Sequence, residues 1–229
     1  MALNESNQTP DGLRYIPDML SVAEERDLID QVQALQFSEV RMHGVVAKRR
    51  VAHFGWVYGY ETWRITPGPP IPDFLVSLRG RIAELVQTGP YEFAEALVTE
   101  YPPGAGIGWH RDAPMFGPLV IGVSLLGSCR FRFQRGTGPE RKTMSLTLEP
   151  RSAYVLSGLA RFQWQHSIPA TPSLRYSITF RTIAAGRKKT AAGTPDSHHG
   201  RNRKTADGEA LQPQSDARSA TSAYRPAER

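Results

Sequence analysis

At 229 residues with a formal net charge of +6, the chain is long enough to bury the core of one good-sized domain or two small ones. Its single cysteine, Cys129, excludes an intramolecular disulfide and any cysteine-cluster zinc site. No apolar run approaches the roughly 20 residues of a membrane span, and the N-terminus lacks the charged-then-apolar pattern of a signal peptide, so a cytoplasmic protein with no membrane partner is expected.

The first 12 residues are expected to be flexible. SVAEERDLIDQVQALQ, residues 21–36, opens on Ser21, a good N-cap, with Glu24 three positions on. Val22, Leu28, Ile29, Val32 and Leu35 then recur at helical spacing. PDFLVSLRGRIAELVQ, residues 72–87, places Phe74, Leu75, Leu78, Ile82, Leu85 and Val86 on one face of a second helix. The remainder reads as strands: CRFRF and MSLTL alternate, and LVIGVSLL and SAYVLS are short apolar runs between turn residues. Two helices followed by many short strands predict an α+β domain built on an antiparallel sandwich or jelly roll.

After residue 184 the composition changes. Nine Lys/Arg against five Asp/Glu leave +4 in the tail and +2 in residues 1–184. Leu211 and Tyr224 are the only large apolar residues there, too few to offset the entropy of ordering, so residues 185–229 are expected to be a disordered basic tail. Its cation clusters at 187–189 and 201–204 suit contact with nucleic acid, or simple solvation.

GAGIGWHRDAP, residues 104–114, admits three readings. A protein-kinase catalytic loop would continue past the Asp to an Asn, and a DFG would follow; neither is present. A phosphate-cradling loop would end in Gly-Lys-Ser/Thr and open a helix, which Gly104, Gly106 and Gly108 do not. A metal reading requires His110 and Asp112 on one strand face, with Arg111 pointing away, and a second His from a distant strand. His166, in ARFQWQHSIP, stands where a strand ends and is the natural third ligand. In RYSITFR, Arg175, Ser177, Thr179 and Arg181 share one strand face, and Tyr176, Ile178 and Phe180 the other. Two arginines among small hydroxyl residues suit a polar cavity that holds an anion, a carboxylate above all. Pairing with protein acids such as Asp112 or Glu149 is the alternative. Two His, one carboxylate and an Arg for a dicarboxylate make up the equipment of an Fe(II)/2-oxoglutarate oxygenase.

EYPPGAGIGWHRD, EPRSAYVLSGLARFQWQHSIP and RYSITFR, with RRVAHFGWVYGY upstream, resemble the AlkB family of Fe(II)- and 2-oxoglutarate-dependent dioxygenases over residues 13–184. RYSITFR matches the family's R-x5-R signature. The resemblance implies a double-stranded β-helix in which His110, Asp112 and His166 bind Fe(II). It further implies that Arg175 holds the distal carboxylate of 2-oxoglutarate, that Tyr101 and Ser177 contact the same cosubstrate, and that Arg181 steadies Asp112. Dioxygen is the second cosubstrate, and ascorbate is a supporting reductant. Thr99 stands where many relatives carry Asn. The implied reaction hydroxylates an alkyl C–H; on nitrogen the product collapses to an aldehyde and the bare nitrogen.

Residues 48–64, KRRVAHFGWVYGYETWR, supply cations (Lys48, Arg49, Arg50, Arg64) for backbone phosphates and rings (Trp56, Tyr58, Tyr60) for a flipped base. Arg50, Trp56 and Tyr58 are the expected substrate contacts; the alternative for the rings is strand core. Several nucleic-acid demethylases of the family carry an acid two places after the metal Asp, where this chain has Pro114. The expected activity is oxidative dealkylation of nucleobases in DNA or RNA by a monomer. The alternatives are a hydroxylase or demethylase of protein or of a specific modified RNA, and a non-catalytic metal- or RNA-binding jelly roll.

Overall fold

A strand with one greasy and one polar face must be covered on both sides, and this requirement organises the molecule. The computed structural model describes residues 9–42, 44–59 and 64–184. In chain order these form β1 (Leu13–Ile16), α1 (Val22–Gln33), β2 (Ser38–Met42), β3 (Val45–Gly59), β4 (Arg64–Pro67), α2 (Asp73–Leu85), β5 (Phe93–Tyr101), β6 (Ile107–His110), β7 (Phe116–Leu125), β8 (Cys129–Arg135), β9 (Lys142–Leu148), β10 (Ala153–Leu156), α3 (Gly158–Phe162), β11 (Gln165–Ile168) and β12 (Arg175–Ile183). The major sheet runs β1-β10-β7-β12-β5-β3-β2, with β4 added to the far end of β3, and the minor sheet runs β6-β11-β8-β9. Every pairing is antiparallel. Two such facing sheets make the double-stranded β-helix expected from the sequence.

Each face of β12 finds its predicted surroundings. Tyr176, Ile178 and Phe180 pack with Val32 of α1 and Leu75, Leu78 and Ile82 of α2. A second core fills the space between the sheets with Phe131, Phe133, Leu148, Leu156 and Trp164. Burying each large apolar side chain stabilises the fold by about 1.5–3 kcal/mol.

The α1 N-terminus forms the capping box: Glu24 N–H donates to Ser21 Oγ (3.2 Å), and Ser21 N–H donates to Glu24 Oε2 (2.7 Å). Glu25 fastens this helix to the sheet, accepting from Leu126 N–H (2.9 Å) and Arg151 Nη1 (3.1 Å). Val22 was expected on the apolar face, but it is 70% exposed because its position in the first turn points away from the sheet.

Three further boundaries differ from expectation. The Asp11 and Gly12 carbonyls accept from Ala160 and Ser157 N–H, so the expected flexible lead-in of 1–12 does not extend through these residues. Residues 158–162, read as the run-up to a strand, form the short α3. In β3, Gly55 has φ +75°, and a Cβ there would meet the Ala94 carbonyl oxygen at 2.0 Å. This kink shifts which residues face inward: Arg49, Val51 and His53 before it, Tyr58 after it. The tail from 185, Tyr60, and the side chain of Arg64 lie outside the described residues.

Candidate active site

The sheets face each other across a cavity of about 1000 Å³. The minor sheet supplies the imidazoles: His110 and His166 are direct cross-strand partners, with ring centroids 4.3 Å apart. Asp112 was expected on the same strand face as His110, but β6 ends at His110, and 111–113 are irregular. Side chains from elsewhere hold Asp112 at the cavity instead. Arg181 Nε donates to its Oδ1 at 2.7 Å. Arg161 of α3 donates to the carbonyls of Asp112, Ala113, Phe116 and Gly117, clamping the segment that carries it. Asp112 Oδ2 lies 3.6 Å from His166 Nε2.

Protonation follows from these neighbours. Burial disfavours a charged Asp112, but Arg181, then His166 and His110, outweigh it and hold the carboxyl well below the usual carboxylate range. Burial first, then His110, pushes His166 down to about 3. Burial likewise lowers His110, whose Nδ1 sits 2.9 Å from the Gly108 carbonyl. A proton on that Nδ1 leaves Nε2 with its lone pair free. Neutral imidazoles beside an ionised carboxylate are the protonation state that a cation needs. Among the described residues no three such side chains already converge on one point; His166 neighbours both His110 and Asp112.

The major sheet supplies a buried guanidinium. Arg175 is completely buried; its Nη2 donates to Ser124 Oγ (2.8 Å), and its guanidinium lies 5.1 Å over the Tyr101 ring. Among the described residues its Nε and Nη1 have no hydrogen-bond partner and no carboxylate pairs with it, though the buried Cys129 thiol lies against the guanidinium. A buried cation so poorly compensated fits an incoming carboxylate. Tyr101, Thr99, Ser177 and Thr179 line the cavity on this sheet, and Arg175 is not itself part of the wall. Tyr154, whose hydroxyl burial pushes up, remains a protonated donor. Arg181 behaves differently: besides Asp112 it donates to Glu95 Oε2 (2.9 Å), a carboxylate with side-chain exposure of 1%. The alternative of pairing with protein acids thus applies to Arg181 and not to Arg175.

The expected substrate contacts separate. Tyr58 lines the cavity, edge-on to Phe116. Trp56 packs in the adjacent apolar cluster and is absent from the cavity wall. Arg50 faces the helix layer, forked onto Glu100 (2.9 Å) and lying over Phe37, because strand alternation turns its neighbour Arg49 inward instead. Sequence reasoning passed over Arg161, Glu95, His53 and Tyr154, and weighed Arg49 only as one of several phosphate-binding cations. Only Glu95 left a signal, since it falls opposite Arg181 once β5 and β12 are paired. His53 Nδ1 lies 3.5 Å from Glu95 Oε1.

The family profile of the 2OG-Fe(II) oxygenase superfamily matches residues 12–181. The "Alkylated DNA repair protein ALKBH8 homolog" of Arabidopsis thaliana is 30% identical over 192 residues, 74% of this chain and 54% of that protein. The chain belongs to the AlkB family of Fe(II)- and 2-oxoglutarate-dependent dioxygenases. Membership makes it an enzyme that requires Fe(II), 2-oxoglutarate and dioxygen. The "tRNA (carboxymethyluridine(34)-5-O)-methyltransferase ALKBH8" of Mus musculus is 29% identical over 69% of this chain and 24% of its own length. The "Probable RNA/DNA demethylase ALKBH6" of Danio rerio is 29% identical over 67% of the chain and 62% of its own length. This AlkB-family chain thus spans about half, or less, of the first two relatives. In fold it resembles OsALKBH1 (TM-score 0.62, 15% identity, covering 77% of this chain and 98% of that one) and a Pseudomonas putida prolyl-4-hydroxylase (TM-score 0.55, 11% identity, 75% and 92%). Among the described residues no helix is long and apolar enough to cross a membrane.

Proposed function

We propose that this AlkB-family enzyme removes alkyl groups from the nitrogens of nucleobases, presented in a single strand or flipped from a duplex in the cytoplasm. His110, Asp112 and His166 would hold the metal, and Arg175, with Tyr101 and Ser177, the 2-oxoglutarate. With these groups and dioxygen bound, the family chemistry couples decarboxylation of 2-oxoglutarate to hydroxylation of an alkyl C–H. The protein's part is positional. Arg181 directs the Asp112 carboxylate while Arg161 fixes its backbone. Phe131, Phe133 and Ile168 close the cavity floor around His166 against water. Tyr58 and Phe116 offer a ring to a base, and Arg49 and Arg111 place cations at the wall.

The observation that carries the cosubstrate assignment is the buried Arg175 with two unpartnered nitrogens, on the same strand face as the cavity-lining Ser177, Thr179 and Arg181. Support for a nucleic-acid substrate comes from the aromatic and cationic wall and from the names of the demethylase relatives. A second reading, oxidation of a modified nucleoside in a specific RNA, is favoured by the transfer-RNA activity in the mouse relative's name and by Pro114 in place of a base-reading acid. The deciding experiment measures succinate formed from 2-oxoglutarate with Fe(II) and ascorbate in the presence of methylated single-stranded DNA, methylated RNA, bulk transfer RNA or protein extract. Stimulation by methylated strands with aldehyde release supports dealkylation. Stimulation by transfer RNA alone transfers the assignment to the second reading, and stimulation by protein alone overturns both.

A further inference from the structure

The outer face of the minor sheet has a composition that the cavity chemistry does not explain. Phe131 and Phe133 point into the core, so alternation turns Arg130, Arg132 and Gln134 outward. The strands β6, β8, β9 and β11 contain no Asp or Glu. Arg135 and Lys142, cross-strand partners at the sheet's end, have the parity of Phe131 and Phe133 and so belong to the opposite face, and Arg141 lies in the connection. Among the described residues none of Arg130, Arg132, Arg135 and Lys142 pairs with a carboxylate. Hydroxyls hold the inner two in place: Arg130 Nε donates to Ser145 Oγ and Arg132 Nε to Ser167 Oγ, both at 3.1 Å. The acids nearest in sequence, Glu140 and Glu149, lie in the connections outside the strands.

This face also joins the active-site cavity. Trp109 is 39% exposed, carries the Arg132 guanidinium 4.9 Å over its ring, and forms part of the cavity wall next to His110. Unneutralised arginines held by hydroxyls, an exposed ring and an absence of acids are the makings of a surface for single-stranded nucleic acid, where phosphates meet cations and bases meet π-faces.

We propose that the outer face of β6-β11-β8-β9 is a docking track for the single strand that flanks the target base. The strand turns over Trp109 at the cavity rim and runs its phosphates along Arg132 and Arg130. The track rests on the nucleic-acid reading above and extends it by fixing the path of the substrate and a minimum useful length. A target nucleotide alone would not reach it; a longer strand would.

The test uses the full chain and two fluorescent single-stranded DNA probes bearing one methylated base, a trinucleotide and a strand of about 20 nucleotides, in anisotropy titrations over a range of salt. The variant Arg130→Gln avoids Trp109, which is part of the cavity wall, and Arg132, which lies over its ring; Arg135→Gln/Lys142→Gln, on the other face, is the control. For the long strand the affinity of Arg130→Gln should fall roughly 3- to 10-fold at low salt, and the log–log salt slope should shrink by about 0.7, one lost phosphate contact, while the control matches the parent. The trinucleotide affinity and the melting temperature of Arg130→Gln should match the parent's, and Arg130→Lys should bind the long strand as the parent does. An unchanged affinity and slope for the long strand overturns the track, as does an equal loss with the trinucleotide. If the parent binds neither probe and oxidises no nucleobase, the nucleic-acid reading itself falls and the track with it.

Discussion

Arg175 and Arg181 differ in what compensates their charge, and mutation should separate them. Arg175 has hydroxyl and ring contacts but no acid, so removing it deletes binding capacity rather than breaking a protein ion pair. A charged hydrogen bond contributes about 1.5–3 kcal/mol, so Arg175→Ala should raise the 2-oxoglutarate concentration for half-maximal succinate formation by roughly 10- to 100-fold. An unaltered requirement would strip the residue of its role. Arg161 acts by another route, through four carbonyls of the segment 112–117. Arg161→Ala leaves those acceptors buried and unpaired, and should cost about 3 kcal/mol of stability. It should also weaken metal binding, read by titration of the metal-free protein with Co(II). Loss of stability without loss of metal affinity would reduce Arg161 to a purely structural clamp.

At the scale of the element, helix signals translated into structure more faithfully than strand ends did. The Ser21–Glu24 capping box appears as read, because a cap is a local arrangement of residues three apart. Which residue of the first turn is buried was not local, since Glu25 rather than Val22 meets the sheet. Val22→Ala should therefore alter stability by less than about 0.5 kcal/mol in urea unfolding. β3 shows the converse, an element whose inward face depends on one glycine. Gly55→Ala meets both the left-handed backbone cost of about 1–2 kcal/mol and the Ala94 carbonyl at 2.0 Å. It should lower the melting temperature by several degrees, at about 2–4 °C per kcal/mol for a domain of this size, and displace Tyr58 from the cavity. A variant as stable as the parent would show that β3 tolerates another register.

For the molecule as a whole, burial of two neutral imidazoles beside one carboxylate dictates a response to acid. His110 and His166 are depressed below the unfolded value of about 6.5, so the unfolded chain gains protons that the folded one refuses as pH falls. Asp112 is depressed too, and its contribution, present above the unfolded carboxyl value, is lost below it. The signs agree: the metal-free protein should be most stable above about pH 6.5 and melt progressively earlier toward pH 4. A flat melting temperature between pH 7.5 and pH 5 would mean that the imidazoles are not held neutral.

The sequence alone determined the sandwich, both long helices and the two faces of β12, because periodicity and short motifs are properties of neighbouring residues, and it singled out His110, Asp112, His166, Arg175 and Arg181 as the candidate site. It could not determine that Asp112 lies beyond the strand end, that Arg49 rather than Arg50 faces the cavity, or that Glu95 and Arg161 brace the site. Those facts follow from strand register, a single glycine kink and contacts between residues up to 86 positions apart, and only the packing of one sheet against the other decides them.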